Sequence, residues 1–117
     1  MLRKNFLHVR GIGQQTEKHL WEQGCNDWET FLSRPDDFKL GTASLELAKS
    51  EIAASIEHLE RGEHQFFRSR LGLAEAWRAW PEFREKCCYL DIETDGGQSG
   101  ESITTIGMYD GKEFRCL

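Results

Sequence analysis

The chain has 117 residues, 38% hydrophobic and 30% charged, with a net charge of −5. That balance fits a soluble globular protein of one domain, or one and a fraction, and excludes a disordered chain. No apolar run approaches membrane-spanning length, and the acidity argues against a broad nucleic-acid-coating surface.

Met1-Leu2-Arg3-Lys4 is basic, but no apolar segment follows it, so no signal peptide is read. His8-Val9-Arg10-Gly11-Ile12-Gly13 then leads into Gln14–Trp21, with Gly24 beyond. A Gly-x-Gly turn opening a short helix points backbone N–H groups outward where the dipole favours phosphate. The stretch resembles the second half of a helix-hairpin-helix motif, which binds nucleic-acid backbone without reading sequence. The resemblance makes Arg10, Gly11, Gly13 and Lys18 candidate backbone contacts. The alternative is a small helical domain in which Gly-Ile-Gly is only a tight turn. Asn26-Asp27 caps a second helix, Trp28 to Ser33. Trp21, Trp28 and Phe31 are expected in the core rather than as base-stacking platforms.

Pro35-Asp36-Asp37-Phe38 breaks the pattern. Thr42 to Glu60 reads as the main helix, capped by Thr42 and ended by Gly62. Its apolar stripe is Leu45, Ala48, Ile52, Ile56 and Leu59, expected to pack on Trp21, Leu32 and the following segment. Glu46, Lys49, Glu51, Glu57 and Glu60 cover its other, solvated faces. A shorter helix from Glu63 to Leu71 and two helical turns around Trp77, Trp80 and Pro81 complete the helical region, 1–86, with Phe83 inward. Arg68, Arg70, Arg78 and Arg84 are candidate phosphate contacts, with plain surface solvation as the alternative. His58 and His64 lack a third partner and are not read as ligands.

Cys87-Cys88-Tyr89-Leu90-Asp91-Ile92-Glu93-Thr94 reads as a strand. Side chains at i and i+2 share a face, so Asp91 and Glu93 point one way, with Leu90 and Ile92 the other. Two neighbouring carboxylates repel unless a cation lies between them, and Mg²⁺ and Mn²⁺ prefer such hard oxygen ligands. The plain alternative is a solvated acid pair. Asp95 to Glu101 reads as a loop, Ser102 to Tyr109 as a second strand, Asp110-Gly111 as a two-residue hairpin turn and Lys112 to Leu117 as a third strand.

The order YLDIETDG, then ITTIGMYDG, resembles the first motif of the DEDD 3′→5′ exonucleases, closest to the YprB-like ribonuclease-H-like branch. The resemblance implies an α+β chain: a helical region, then the antiparallel three-strand meander that opens a ribonuclease-H-like fold, residues 87–117. It implies two-metal phosphodiester hydrolysis, with Mg²⁺ or Mn²⁺ ions about 4 Å apart. Asp91 and Glu93 match the motif as metal ligands and catalytic residues, and Thr94, which matches the hydroxyl residue that follows, is a further candidate nucleic-acid contact. The further acids and general base of that family are expected after Leu117, so the chain is read as an N-terminal part that is inactive by itself. The open edge of the first strand is expected to support a homodimer. The competing readings are a non-catalytic nucleic-acid-binding module and a protein-interaction module. The four cysteines lack a zinc spacing, and the adjacent Cys87-Cys88 suits reduced packing thiols and a cytoplasmic location, with no membrane partner.

Overall fold

The computed structural model describes residues 1–96 and 102–117, in which five α-helices precede a three-stranded antiparallel sheet along the chain. The chain is mixed α+β and divides into two compact units, Met1–Glu82 and Phe83–Leu117.

In the first unit, α1 spans Gln14–Glu22, α2 Trp28–Ser33, α3 Leu45–Glu60 and α4 His64–Arg68. A 3₁₀ segment, Leu73–Ala79, follows, and α5, Trp80–Phe83, ends the helical series at the unit boundary. The local chemistry explains the ends. Gly24 and Gly62 adopt φ of +84° and +67°, which side chains disfavour, and they close α1 and α3. Asp27 caps α2 by accepting from Thr30 N–H at 2.7 Å. For α3 the capping residue is Ser44, whose Oγ accepts from Leu47 N–H at 3.2 Å, and not the expected Thr42. Ser44 sits three residues before Leu47, whose N–H is one of the first-turn groups with no intrahelical acceptor, whereas Thr42 lies in the turn before the helix.

The core of this unit is aromatic. Trp28 and Phe67 stack at 6.0 Å with 8° between ring planes, and His8 leans on both rings. Phe31 bridges Phe6 and Phe38 at 6.2 and 6.0 Å. Trp28 is fully buried, with its indole N–H donating to Asn5 C=O at 2.7 Å. Such a side chain typically accounts for about 3–5 kcal/mol when truncated to alanine. Trp21, expected in the core, is instead 38% exposed. Its indole N–H donates to Lys4 C=O at 3.0 Å, so the ring lies along the N-terminal segment rather than under it.

α3 is also rotated from expectation. Its buried line is Ala48, Glu51, Ile52 and Ser55, while Leu45, Ile56 and Leu59 are half-buried. Glu51, expected on a solvated face, is therefore a buried carboxylate. The reason is hydrogen-bond demand. The His8–Arg10 segment has no helix or strand of its own, and Glu51 and Ser55 supply its partners. Glu51 accepts from Arg10 N–H at 2.7 Å and from Arg10 Nε at 2.5 Å. Ser55 donates to Glu51 C=O at 2.6 Å and lies 2.8 Å from His8 Nε2. With its hydrogen committed to that carbonyl, Ser55 can only accept, which makes Nε2 the protonated nitrogen of His8.

In the second unit, β1 (Tyr89–Thr94), β2 (Ile103–Tyr109) and β3 (Phe114–Cys116) form a meander in the order β1-β2-β3. The expected loop at Asp95 to Glu101 falls mostly outside the described residues. The β2–β3 turn is longer than the expected two residues. Tyr109 pairs with Phe114, and Asp110 closes the turn by accepting from Lys112 N–H at 2.9 Å and Glu113 N–H at 2.8 Å. Gly111 takes the φ of +92° that this turn needs. The side chain of Asp110 thus replaces ladder bonds that a tighter hairpin would make, and Lys112 and Glu113 leave the strand.

Candidate metal and nucleic-acid sites

Asp91 and Glu93 stand on one face of β1, one pleat repeat apart, which is roughly 7 Å along the strand. Across the ladder Asp91 faces Gly107 and Glu93 faces Thr105. Neither partner carries charge, and among the described residues no Lys or Arg forms an ion pair with either acid. Gly107 is glycine for a packing reason: a Cβ there would lie 3.3 Å from the Phe114 ring and 3.8 Å from Asp91 Cβ. The Phe114 ring therefore flanks Asp91 across bare backbone. After Glu93 the register slips, with Thr94 opposite Ile103, and Thr104 donates to Glu93 C=O at 3.2 Å. Such a bulge re-aims the side chains that follow, Thr94 first among them.

Tyr89 shares the acid face one repeat before Asp91, with its ring 6.2 Å from that of Tyr109 on β2. These rings, Arg84 and Lys112 line an open cavity of about 670 Å³, which Asp110 and Glu85 complete. Of the arginines picked out by sequence, Arg84 is the one placed here. The sequence reading missed Tyr89, Tyr109 and Lys112. Alternation put Tyr89 on the acid face, but the strand register that brings Tyr109 beside it had no local signal. Asp110 is held below the usual carboxylate range by its backbone donors, Glu113 N–H first and Lys112 N–H next. The opposite face of the sheet carries Leu90 and Ile92, 61% and 51% exposed, so the two-sided arrangement expected of β1 is present.

Two carboxylates fit one Mg²⁺ or Mn²⁺ ion, which is commonly bound by one or two carboxylates together with substrate phosphate oxygens. They do not by themselves fit a pair of ions. Among the described residues no group of three or more His, Cys, Asp or Glu is placed to hold a metal.

In the first unit the Gly11–Gly13 turn sits at the start of α1. Gly11 has φ +84° and its Cβ position is 3.4 Å from Ala43, so the backbone and the neighbour both favour glycine. Gly13 is the N-cap, with open space where a side chain would project. An open cavity of about 600 Å³ is lined by Leu7–Ile12, Ser69 and Arg70. Burial pushes the Glu51 carboxyl up, and the Arg10 bonds and charge more than offset it, so its pKa is lowered overall. Burial is also the main reason His8 is lowered to about 4, against an opposing pull from Glu51. The structure thus brings Arg10, Gly11 and Arg70 to one cavity, with Arg10 clamped by Glu51. Lys18 points elsewhere on α1, 3.8 Å from Glu22. Arg68 lines a different hollow with Leu71 and Leu73. Arg78 is not available to phosphate: it is 17% exposed and held by Glu17 and Glu75. His58 is taken up by Glu63 and stacks on Phe66 at 4.0 Å.

Comparison with protein-family models, with curated proteins and with solved structures gives no match.

Proposed function

We propose that the chain is part of a divalent-metal-dependent 3′→5′ exonuclease of the ribonuclease-H-like kind, with Asp91 and Glu93 as its first metal ligands. The observation that supports this reading is the pair itself: two carboxylates on one strand face, opposite Gly107 and Thr105, with no cation of the described chain to neutralise them. Leaving two adjacent acids unpaired costs stability unless a cation joins them. An Mg²⁺ or Mn²⁺ ion bound there would polarise a phosphodiester and activate water. The chain's own residues supply the setting. Asp91 and Glu93 present oxygens, the Phe114 ring flanks Asp91 across Gly107, and Arg84 and Lys112 offer charge to the phosphates of a bound strand. Further acids and a general base are required for turnover, so this chain alone binds metal without hydrolysing nucleic acid at a useful rate. The exposed edge of β1 is where another strand, from the rest of such a fold or from a second copy, would pair.

Titration calorimetry with Mn²⁺ tests the reading. Expected is one weak site per chain, lost in Asp91→Asn with the thermal midpoint unchanged or raised. Equal Mn²⁺ uptake by wild type and Asp91→Asn, or no uptake by either, would sink it. A second reading, a module that binds nucleic-acid backbone through the Gly11–Gly13 turn, is favoured by the open space at the Gly13 N-cap and by the cavity that Arg10, Gly11 and Arg70 line.

A further inference from the structure

The first unit contains a second feature that neither the acid pair nor the glycine turn uses. Large aromatic side chains are normally covered, yet Trp21 is 38% and Trp77 57% exposed. Both line one cavity of about 420 Å³, a size suited to a small planar ligand. Both rings are held in place. The Trp21 indole N–H donates to Lys4 C=O at 3.0 Å, and the Arg78 guanidinium lies 5.6 Å from the centroid of Trp77. Arg78 is in turn fixed by Glu17 at 3.0 Å and Glu75 at 2.5 Å. The indoles are therefore preorganised, which lowers the entropy cost of stacking a ligand on them.

The remaining lining has one sign. Lys4 contributes a cation and Asn26 an exposed amide, the charge of Arg78 is already met by Glu17 and Glu75, and no carboxylate lines the cavity, although the chain carries a net charge of −5. Lys4 has no carboxylate at ion-pair distance among the described residues. Asn5 is 2% exposed, and its amide orientation is set because Oδ1 accepts from Leu7 N–H at 2.7 Å. Its Nδ2–H is shut off from solvent and has no acceptor, so the amide that can meet a ligand in the cavity is that of the exposed Asn26.

Exposed indole rings for stacking, the Asn26 amide for the edge of a heterocycle and a lysine for an attached anion describe one ligand class. We infer that the Trp21–Trp77 cavity binds a nucleobase of single-stranded nucleic acid, with Lys4 meeting the adjoining phosphate. A proline-rich peptide also docks on exposed tryptophans, but it offers no negative charge to Lys4 and no ring edge to the Asn26 amide. The inference rests on the nucleic-acid reading above and is independent of its metal chemistry, because every residue of the cavity lies in the first unit.

The test is fluorescence anisotropy of a labelled oligothymidylate of about ten nucleotides with the full chain, in EDTA and again in Mn²⁺. Expected is binding in EDTA that is weaker for the same sequence as a duplex. Trp77→Ala should weaken it about 5- to 150-fold, the usual range for loss of one stacked base. Trp77→Phe should retain most of the affinity, and circular dichroism of both variants reports folding. Lys4→Gln should weaken binding and flatten its salt dependence. Binding that needs Mn²⁺ and ignores Trp77→Ala would overturn this inference while leaving the metal-site proposal standing. Binding in EDTA that Trp77→Ala weakens supports it even if Asp91 takes up no metal. Displacement by a proline-rich peptide with no oligonucleotide binding, or no binding of either probe, also overturns it.

Discussion

Replacing Glu17 by alanine should destabilise the first unit more than its single position on α1 suggests. Glu17 is 2% exposed and serves two distant segments. Its Oε1 accepts from Phe6 N–H at 2.8 Å, and both oxygens accept from Arg78 Nη1, at 3.2 and 3.0 Å. The alanine variant leaves the Phe6 N–H without this acceptor and removes one of the two carboxylates that neutralise Arg78. A hydrogen bond to a charged group contributes about 1.5–3 kcal/mol, and a buried charge left wholly unpaired costs about 3–5 kcal/mol. Arg78 keeps Glu75 at 2.5 Å and is 17% exposed, so it is not left unpaired, and each of the two losses falls at the lower end of the hydrogen-bond range, about 1.5 kcal/mol. The expected total is about 3 kcal/mol, or roughly 12–24 °C in thermal midpoint for a unit of this size. Glu17→Gln keeps an acceptor for Phe6 and should lose only about 1–2 kcal/mol. Urea denaturation followed by tryptophan fluorescence measures both, and a double-mutant cycle with Arg78→Met should give a coupling of about 1–3 kcal/mol. A Glu17→Ala variant within about 0.5 kcal/mol of wild type, the scale of an ordinary surface change, would refute the reasoning.

Stability of the first unit should also depend on pH through His8. Its pKa is lowered from 6.5 to about 4, mainly by burial, so the unfolded chain takes up the proton first as pH falls. The contribution is complete above about 6.5, declines between about 6.5 and about 4, and amounts to about 3 kcal/mol. His8→Leu should remove that part of the pH slope in urea midpoints, and an unchanged slope would count against it. Among the thiols, Cys25 is buried and raised to about 12, first by burial and then by Asp27. It should react with a disulfide reagent at neutral pH only on unfolding, whereas the exposed Cys88 and Cys116 should react at once. Labelling followed by peptide mass mapping decides this, and early modification of Cys25 would contradict the packing described.

Much of the local structure was legible because its signals are local. Asp27 before Trp28, Gly24 and Gly62 after their helices, and the apolar run into Asp91 and Glu93 each act within a few residues. The structure places an α-helix or strand at each of those points. Where sequence and structure differ, the cause is different. Residue type alone puts Trp21 in the core, but its ring is held outside by Lys4 C=O. Residue type puts Glu51 in solvent, but the non-helical His8–Arg10 segment needs its oxygens. An arginine such as Arg78 suits phosphate, but Glu17 and Glu75 already hold it. In each case at least one partner lies 17 or more residues away, beyond the reach of any periodicity.

The sequence alone determined which residues could do chemistry. Period-two alternation put Asp91 and Glu93 on one face of a strand, and glycine's freedom at positive φ marked where the helices end. Only the tertiary structure decided what those residues meet. Pairing of β1 with β2 set Gly107 and Thr105, rather than a cation, opposite the two acids. Packing of the N-terminal segment and Leu73–Ala79 brought Lys4, Asn5, Trp21 and Trp77 to one cavity. The physical reason is that alternation, capping and turn preference are energies of neighbouring residues. Strand register and side-chain encounter are set by hydrogen bonds and burial between segments far apart in the chain.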